Sequence, residues 1–221
     1  MRMRRKKNLD AFVDMYPDIL KILLPEEKNL NEILAKKEYL DLKQIFGDKE
    51  IQLEIGCGKG SFICELAKQN PDKAFLAVEV SKNVIVEACK KVREANLTNV
   101  LFLNCAAQNL PRYLAPNTIS RLYLNFSCPF PKYTYASHRL THANFLNSYK
   151  EYLMPDAEIY QKTDNMHFFE FSIEQFTKSG YKLKNISLDL HNSNFEGNIV
   201  TEYEHKFASQ GMPIYRLEAY R

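Results

Sequence analysis

Strand-like and helix-like patterns alternate along this chain from residue 50 onward, and this alternation limits the fold more than any other feature. The predicted elements, in chain order, are strands near 50–55, 74–79, 99–104 and 119–126 with helices near 60–69, 82–96 and 137–153, then a strand near 157–163, a helix near 166–179 and strands near 181–190 and 213–220. Such alternation is typical of βαβ units, in which helices cover both faces of a mainly parallel sheet. The sequence therefore predicts an α/β fold.

The residues before this alternation are predicted to form an extension rather than a second domain. Residues 1–8 are a basic arm, and Leu9 to Leu24 and Leu30 to Phe46 have helical patterns, the second ended by Gly47. A chain of 221 residues, 45% of them hydrophobic, suffices for one sizeable core. We therefore interpret residues 1–48 as an N-terminal helical extension of one domain at 49–221.

Charge, cysteine content and hydropathy exclude several classes of protein. No apolar run approaches the roughly 18 residues of a membrane span, and no apolar segment follows the basic start as in a signal peptide. The five cysteines include no C-x-x-C pair, which disfavours a disulfide framework and a zinc site. We expect no metal and a reducing, cytoplasmic compartment. The net charge is only +3, so nucleic-acid binding would depend on local clusters.

A glycine-rich turn follows the first predicted strand. Gly56, Gly58 and Gly60 stand at every second position, Glu54 precedes them, and Glu79 ends the next strand. Glycine lets a ligand approach the backbone, and a carboxylate about 20 residues beyond such a turn binds ribose hydroxyls in doubly wound folds. These residues predict a cofactor site. The alternative is a plain strand-to-helix turn with a solvated glutamate.

A second informative segment, Asn125 to Lys132, follows the fourth predicted strand. Pro129 and Pro131 exclude both a helix and a strand ladder there, so we expect a rigid loop. In an open parallel sheet, ligands bind beyond the carboxyl ends of the strands. The loop is therefore predicted to project over the site, with an ordinary proline-rich connection as the alternative.

Several strings together carry a specific resemblance. They are the Met-Arg-Met-Arg start, Glu54-Ile-Gly-Cys-Gly-Lys-Gly60, Glu79, Leu124-Asn125-Phe126-Ser127 with a Pro-aromatic-Pro-Lys loop, Lys162-Thr163-Asp164-Asn165, Thr201-Glu202-Tyr203-Glu204-His205-Lys206-Phe207 and Gly211-Met212-Pro213-Ile214-Tyr215-Arg216. With them, the chain resembles bacterial tRNA (guanine-N7)-methyltransferases. The resemblance implies a Rossmann-like class I fold with a seven-stranded, mostly parallel sheet and an antiparallel last strand. It also implies S-adenosylmethionine as methyl donor and a guanine in the variable loop of tRNA as acceptor.

The resemblance also implies roles for particular residues. Cofactor binding falls to Glu54, Gly56, Gly58, Gly60, Glu79 and Ala106. Substrate binding falls to Lys132, Asp164, Thr201, Tyr203 and Glu204, and the catalytic position to Cys128. A lysine can meet a phosphate, a carboxylate can accept from a guanine, and a tyrosine ring can stack on a base. Local alternatives are Asp164 as a helix N-cap and Thr201 with Glu204 as a capping box.

The chain departs from the family on its functional face. The family has aspartate at the positions of Cys128 and Ala106 and tryptophan at that of Phe130, and its basic run is replaced here by residues 133–139. Guanine N7 has a lone pair and no proton, so methyl transfer to it needs alignment more than a general base. We expect an active tRNA methyltransferase with an altered site, either monomer or homodimer. The alternatives are a degenerate paralogue that binds tRNA or S-adenosylmethionine with little or no transfer, and a methyltransferase for another acceptor.

Overall fold

The computed structural model of the chain describes residues 8–221, so residues 1–7 of the predicted basic arm lie outside it. The chain divides into two compact units, Met1–Leu114 and Ala115–Arg221. The predicted boundary after residue 48 is a different division and stays a prediction. Within residues 8–221, no helix combines the length and the apolar character that crossing a bilayer requires.

The first unit contains a parallel group of strands with helices around it. Its strands are β1 Leu20–Ile22, β2 Ile51–Ile55, β3 Ala74–Val78 and β4 Val100–Asn104, in the spatial order β1-β4-β3-β2. Its helices are α1 Leu9–Val13, α2 Leu30–Ala35, α3 Leu42–Phe46, α4 Ser61–Gln69, α5 Lys82–Glu94 and α6 Leu110–Tyr113. Every residue of β2, β3 and β4 is buried, as expected for parallel strands covered on both faces.

The N-terminal segment corrects the prediction of two long helices. The first ends early, because Pro17 disfavours the helical conformation of the residue before it. The chain then forms β1, which pairs parallel with the edge of β4. The extension therefore supplies a strand to the first unit's sheet.

The second predicted helix, Leu30 to Phe46, is interrupted as well. Between α2 and α3 the backbone is extended, and the amides of Glu38 and Leu40 donate to the carbonyl oxygens of Arg112 and Tyr113 at 2.8 and 2.9 Å. Asp41 then caps α3 through the Gln44 amide. Backbone hydrogen bonds to the segment at Arg112 and Tyr113 thus replace the helical hydrogen bonds that the local sequence pattern predicts.

The second unit has a mixed group of strands. They are β5 Ile119–Asn125, β6 Leu153–Thr163, β7 Lys182–Ser187 and β8 Tyr215–Tyr220, in the order β5-β6-β8-β7. Its helices are α7 Ala143–Tyr149, α8 Met166–Lys178 and α9 Glu202–Ala208, with a 3₁₀-helix at Tyr133–His138. β5 and β6 are parallel, whereas β8 is antiparallel to both β6 and β7, which confirms the predicted antiparallel last strand.

The α/β class and most element positions are therefore confirmed, with two corrections besides those to the N-terminal helices. The described residues contain eight strands instead of seven, because β1 is additional. The helix predicted near 137–153 is instead the 3₁₀-helix followed by α7.

Candidate active site

The glycine-rich turn of the first unit forms an open cradle. The amides of Gly56 and Cys57 donate to the Val78 carbonyl oxygen at 2.8 and 3.0 Å, which joins the ends of β2 and β3. Gly56 and Gly58 have φ of +84° and +54°, a region that side chains rarely adopt. A Cβ at either position would meet nothing within 4 Å. Open backbone at the end of a parallel strand fits the approach of a ligand such as S-adenosylmethionine.

Gly60 has a different physical reason to be glycine. A Cβ there would lie 2.7 Å from the Ala88 Cβ, well inside van der Waals contact. The missing side chain therefore lets the start of α4 pack closely against α5. A contact between Gly60 and the cofactor stays a prediction.

Glu79 is held at the edge of this cradle by backbone amides. Its Oε2 accepts from the Gly58 amide at 3.2 Å and its Oε1 from the Ser81 amide at 2.8 Å. The Asn104 side chain donates to the carbonyl oxygens of Glu79 and Val80 at 2.7 and 3.0 Å. Each carboxylate oxygen can accept a further bond. Binding of ribose hydroxyls by Glu79 stays a prediction. Asn104 is not among the predicted site residues, although a polar residue at the end of a buried strand is a signal.

Glu54 and Ala106 lie in the same unit. Glu54 is buried within β2, and Ala106 is half-buried after β4, where its methyl side chain cannot form a hydrogen bond. Burial, with a smaller effect of the Glu54 and Glu79 charges, raises the pKa of the Cys57 thiol well above its usual value. Cys57 therefore stays protonated and is no candidate nucleophile. Within residues 8–221, no group of three or more His, Cys, Asp or Glu side chains could hold a metal ion.

The proline-containing loop of the second unit has an unusual backbone. Phe126 and Phe130 have φ of +51° and +40°, and such left-handed conformations cost about 1 kcal/mol or more each for residues other than glycine. The Phe126 amide donates to the Lys162 carbonyl oxygen at 2.8 Å, which ties the loop's start to β6. The Ser127 Oγ is buried without a hydrogen-bond partner among residues 8–221. A buried hydroxyl without a partner is uncommon in a folded protein.

Arg139 holds the other end of this loop. Its Nε donates to the Pro129 carbonyl oxygen at 2.8 Å and its Nη2 to that of Phe130 at 3.0 Å. Its guanidinium lies 4.3 Å from the centre of the Phe171 ring. This clamp is not among the predicted features, because two of the partners of Arg139 are main-chain oxygens and the third, the Phe171 ring, lies on α8.

Cys128, Asp164 and Tyr203 come together in the second unit. The Tyr203 ring lies 5.5 Å from that of Phe126, and partial burial raises the pKa of Tyr203, with further contributions from the charges of Asp164 and Cys128. The N-cap of α8 is Asn165, whose side chain accepts from the Phe168 amide at 2.8 Å. The alternative of Asp164 as that cap is therefore wrong, and its carboxylate is left for other partners.

Thr201 and Glu204 form the capping box that the sequence offered as an alternative. The Thr201 Oγ1 accepts a hydrogen bond from the Glu204 amide at 2.9 Å, and the Glu204 carboxylate accepts one from the Thr201 amide. Glu204 is fully buried and also contacts Lys162 at 2.6 Å, Asn198 at 2.6 Å and His191 at 3.0 Å. These contacts hold α9, which carries the half-exposed Tyr203. Direct contact of Glu204 with the substrate stays a prediction.

Comparisons with known proteins decide the family. A family model described as "putative methyltransferase" matches residues 48–217. The tRNA (guanine-N(7)-)-methyltransferase of Bacillus subtilis is 47% identical over 175 residues, covering 79% of this chain and 82% of the relative. That of Clostridioides difficile is 42% identical over 219 residues, covering 99% of this chain and 98% of the relative. That of Streptococcus pneumoniae is 41% identical over 220 residues, covering 99% of each.

This chain belongs to the tRNA (guanine-N7)-methyltransferase family.

Solved structures agree at the level of the fold. A 16S rRNA methyltransferase has a TM-score of 0.60 at 17% identity, covering 82% of this chain and 94% of that chain. An antibiotic-related methyltransferase has a TM-score of 0.58 at 15% identity, covering 89% of this chain and 94% of that chain. At such identities the likeness concerns the fold alone. It is the Rossmann-like fold of class I methyltransferases, as the sequence predicted.

The positions predicted to depart from the family are exposed or half-buried. Cys128 is exposed on the clamped loop. Lys132, which matches the family string, is exposed where that loop meets the 3₁₀-helix. Phe130 and Ala106 are half-buried. An effect of these substitutions on ligand binding stays a prediction.

Proposed function

We infer that this protein transfers the methyl group of S-adenosylmethionine to N7 of a guanine in tRNA. The observation that carries this function is the 41–42% identity, over 98–99% of their length, with methyltransferases named for that reaction. The variable loop of tRNA, as the resemblance implies, is the proposed location of the guanine. The relatives' names support neither the degenerate paralogue nor a different acceptor.

The residues of the first unit would hold the donor. S-adenosylmethionine, when bound, supplies an electrophilic methyl group on a sulfonium. The open backbone at Gly56 and Gly58 would let the donor approach, and the Glu79 carboxylate would accept from the ribose hydroxyls. Ala106 offers no side-chain bond to the adenine, so donor binding would lose about 1 kcal/mol relative to a family member with aspartate there.

The residues of the second unit would orient the guanine. Asp164 would accept from its ring N–H and exocyclic amine, Tyr203 would stack on the base, and Lys132 would meet a phosphate. The hydroxyl groups of Ser127 and Thr201 could each donate a further hydrogen bond to the substrate. Because N7 carries a lone pair and no proton, the protein needs no general base and acts by alignment.

The cell compartment and the assembly state are also proposals. All five cysteines are free thiols, which supports a reducing compartment, and we place the protein in the cytoplasm. Monomer and homodimer are both compatible with the site as described, since each proposed contact lies within one copy of the chain.

A methyl-transfer assay tests the function. The purified protein is given S-adenosylmethionine labelled in the methyl group and an unmodified tRNA transcript, and the digested RNA is analysed for 7-methylguanosine. We expect label in that nucleoside and none in a transcript whose acceptor guanine is replaced by adenine. Absence of label, with donor and tRNA both shown to bind, would reject the enzyme function.

Glu79 should contribute measurably to donor affinity. We expect Glu79→Ala to weaken binding of S-adenosylhomocysteine by about 1–3 kcal/mol in calorimetry, because hydrogen bonds to a charged group are lost. Glu65→Ala, a change on the outer part of α4, is the matched control and should leave affinity unchanged. Equal affinity of Glu79→Ala and the parent would remove Glu79 from the donor site.

A further inference from the structure

One half-buried ring and three exposed rings follow Cys128 in the chain. We call Phe130, Tyr133, Tyr135 and His138 the aromatic cluster. The His138 ring lies 5.7 Å from that of Phe130 and 5.9 Å from that of Tyr135, which forms a row of three. Tyr133 is 90% exposed and Tyr135 is 48% exposed. Contiguous apolar surface on a folded protein can mark a binding site.

The backbone below the aromatic cluster is fixed. The Tyr135 amide donates to the Lys132 carbonyl oxygen at 3.0 Å, and the Arg139 amide to that of Ala136 at 3.1 Å. The Arg139 guanidinium holds the Phe130 carbonyl oxygen as described above. Rigid aromatic side chains on an ordered backbone lose little conformational entropy when a ligand binds. The cluster is therefore suited to binding by ring contact.

The same segment has little charge for binding phosphates. Between Lys132 and Arg139, only these two residues are formally charged at neutral pH. The Arg139 guanidinium is committed to two carbonyl oxygens and the Phe171 ring. Contacts to phosphates make binding strongly dependent on salt, whereas ring stacking does not. The chemistry of this surface thus favours bases over the RNA backbone.

We propose that the aromatic cluster binds unpaired bases of the tRNA substrate by stacking. This inference rests on the proposed function and adds a substrate-binding surface to it. The cluster is continuous in sequence with the loop that carries Cys128, so bases next to the methylated guanine are the occupants. Every base has a face on which a tyrosine can stack, so the contact tolerates different tRNA sequences.

Binding of a tRNA transcript by variants of Tyr133 tests the proposal. We expect Tyr133→Ala to raise the dissociation constant by about 10-fold, within the range for loss of one stacked base, with an unchanged log–log salt slope. Tyr133→Phe keeps the ring and should bind as the parent does. Tyr39→Ala, at a half-exposed tyrosine of the first unit, is the control. Lys132→Ala should instead lower the salt slope by about one unit.

Several outcomes would overturn the proposal. They are an unchanged dissociation constant in Tyr133→Ala, an equal loss in Tyr133→Phe, and an equal loss in Tyr39→Ala. Dissociation of a dimer by Tyr133→Ala would show that a second copy of the chain covers the cluster. If the parent protein methylates tRNA and Tyr133→Ala binds tRNA as tightly as the parent does, the stacking surface is rejected and the proposed function stands. A parent that binds tRNA through Tyr133 but transfers no methyl group would reject the proposed function alone.

Discussion

Replacing Cys128 by aspartate is expected to raise N7-methylation of unmodified tRNA by about 10-fold or more, which is about 1.4 kcal/mol in the barrier. Methyl transfer to N7 places positive charge on the guanine. A carboxylate directed at that charge would stabilise the transition state, whereas a thiol offers only a weak acceptor. The measurement is the rate of label transfer at saturating donor and tRNA.

The scaffold around Cys128 is suited to accept this change. The side chain is exposed, and Arg139 and the Phe126 amide hold the loop at both ends. Cys128→Asn is the matched control, since it has the size of aspartate without the charge and should show a much smaller gain. Equal rates for Cys128→Asp and the parent would contradict this prediction. Any low activity would then be caused by several positions, and Ala106 and Phe130 would be tested first.

Replacing Lys162 by methionine is expected to lower the free energy of unfolding by about 3–5 kcal/mol, the usual cost of removing one partner from a buried ion pair. Lys162 is 6% exposed and Glu204 is 0% exposed, and their charged atoms lie 2.6 Å apart. The Lys162 Nζ also donates to Asn198 Oδ1 at 3.0 Å and to the Ile199 carbonyl oxygen at 2.9 Å. The variant would leave the Glu204 charge buried with less compensation.

Denaturant unfolding measures this effect. Lys178→Met is the control, because the ion pair of Lys178 with Glu174 is exposed on α8 and should contribute less than about 1 kcal/mol. The double change Lys162→Met with Glu204→Leu should recover part of the loss, since it removes both charges from the interior. A loss below about 1 kcal/mol in Lys162→Met would show that this pair does not hold α9 in place.

The sequence by itself determined the elements whose pattern is local. The buried runs of β2, β3 and β4 and the periodic helices α4, α5 and α8 lie close to their predicted positions. The glycine-rich turn and the acidic residue after β3 were also readable, because the strand, the turn and the next strand end lie within 30 residues. The capping box at Thr201 was visible for the same reason, since its two residues are three apart.

Only the tertiary structure decided the features that depend on distant partners. Leu20 to Ile22 form a strand because the edge of β4 offers hydrogen bonds some 80 residues further along the chain. Glu204 is withdrawn from the surface because Lys162 of β6 and His191 surround it. The clamp of Arg139 joins main-chain oxygens, which carry no side-chain signal in a sequence. Local patterns report the periodicity of burial, whereas pairing between remote segments depends on where the folded chain brings them.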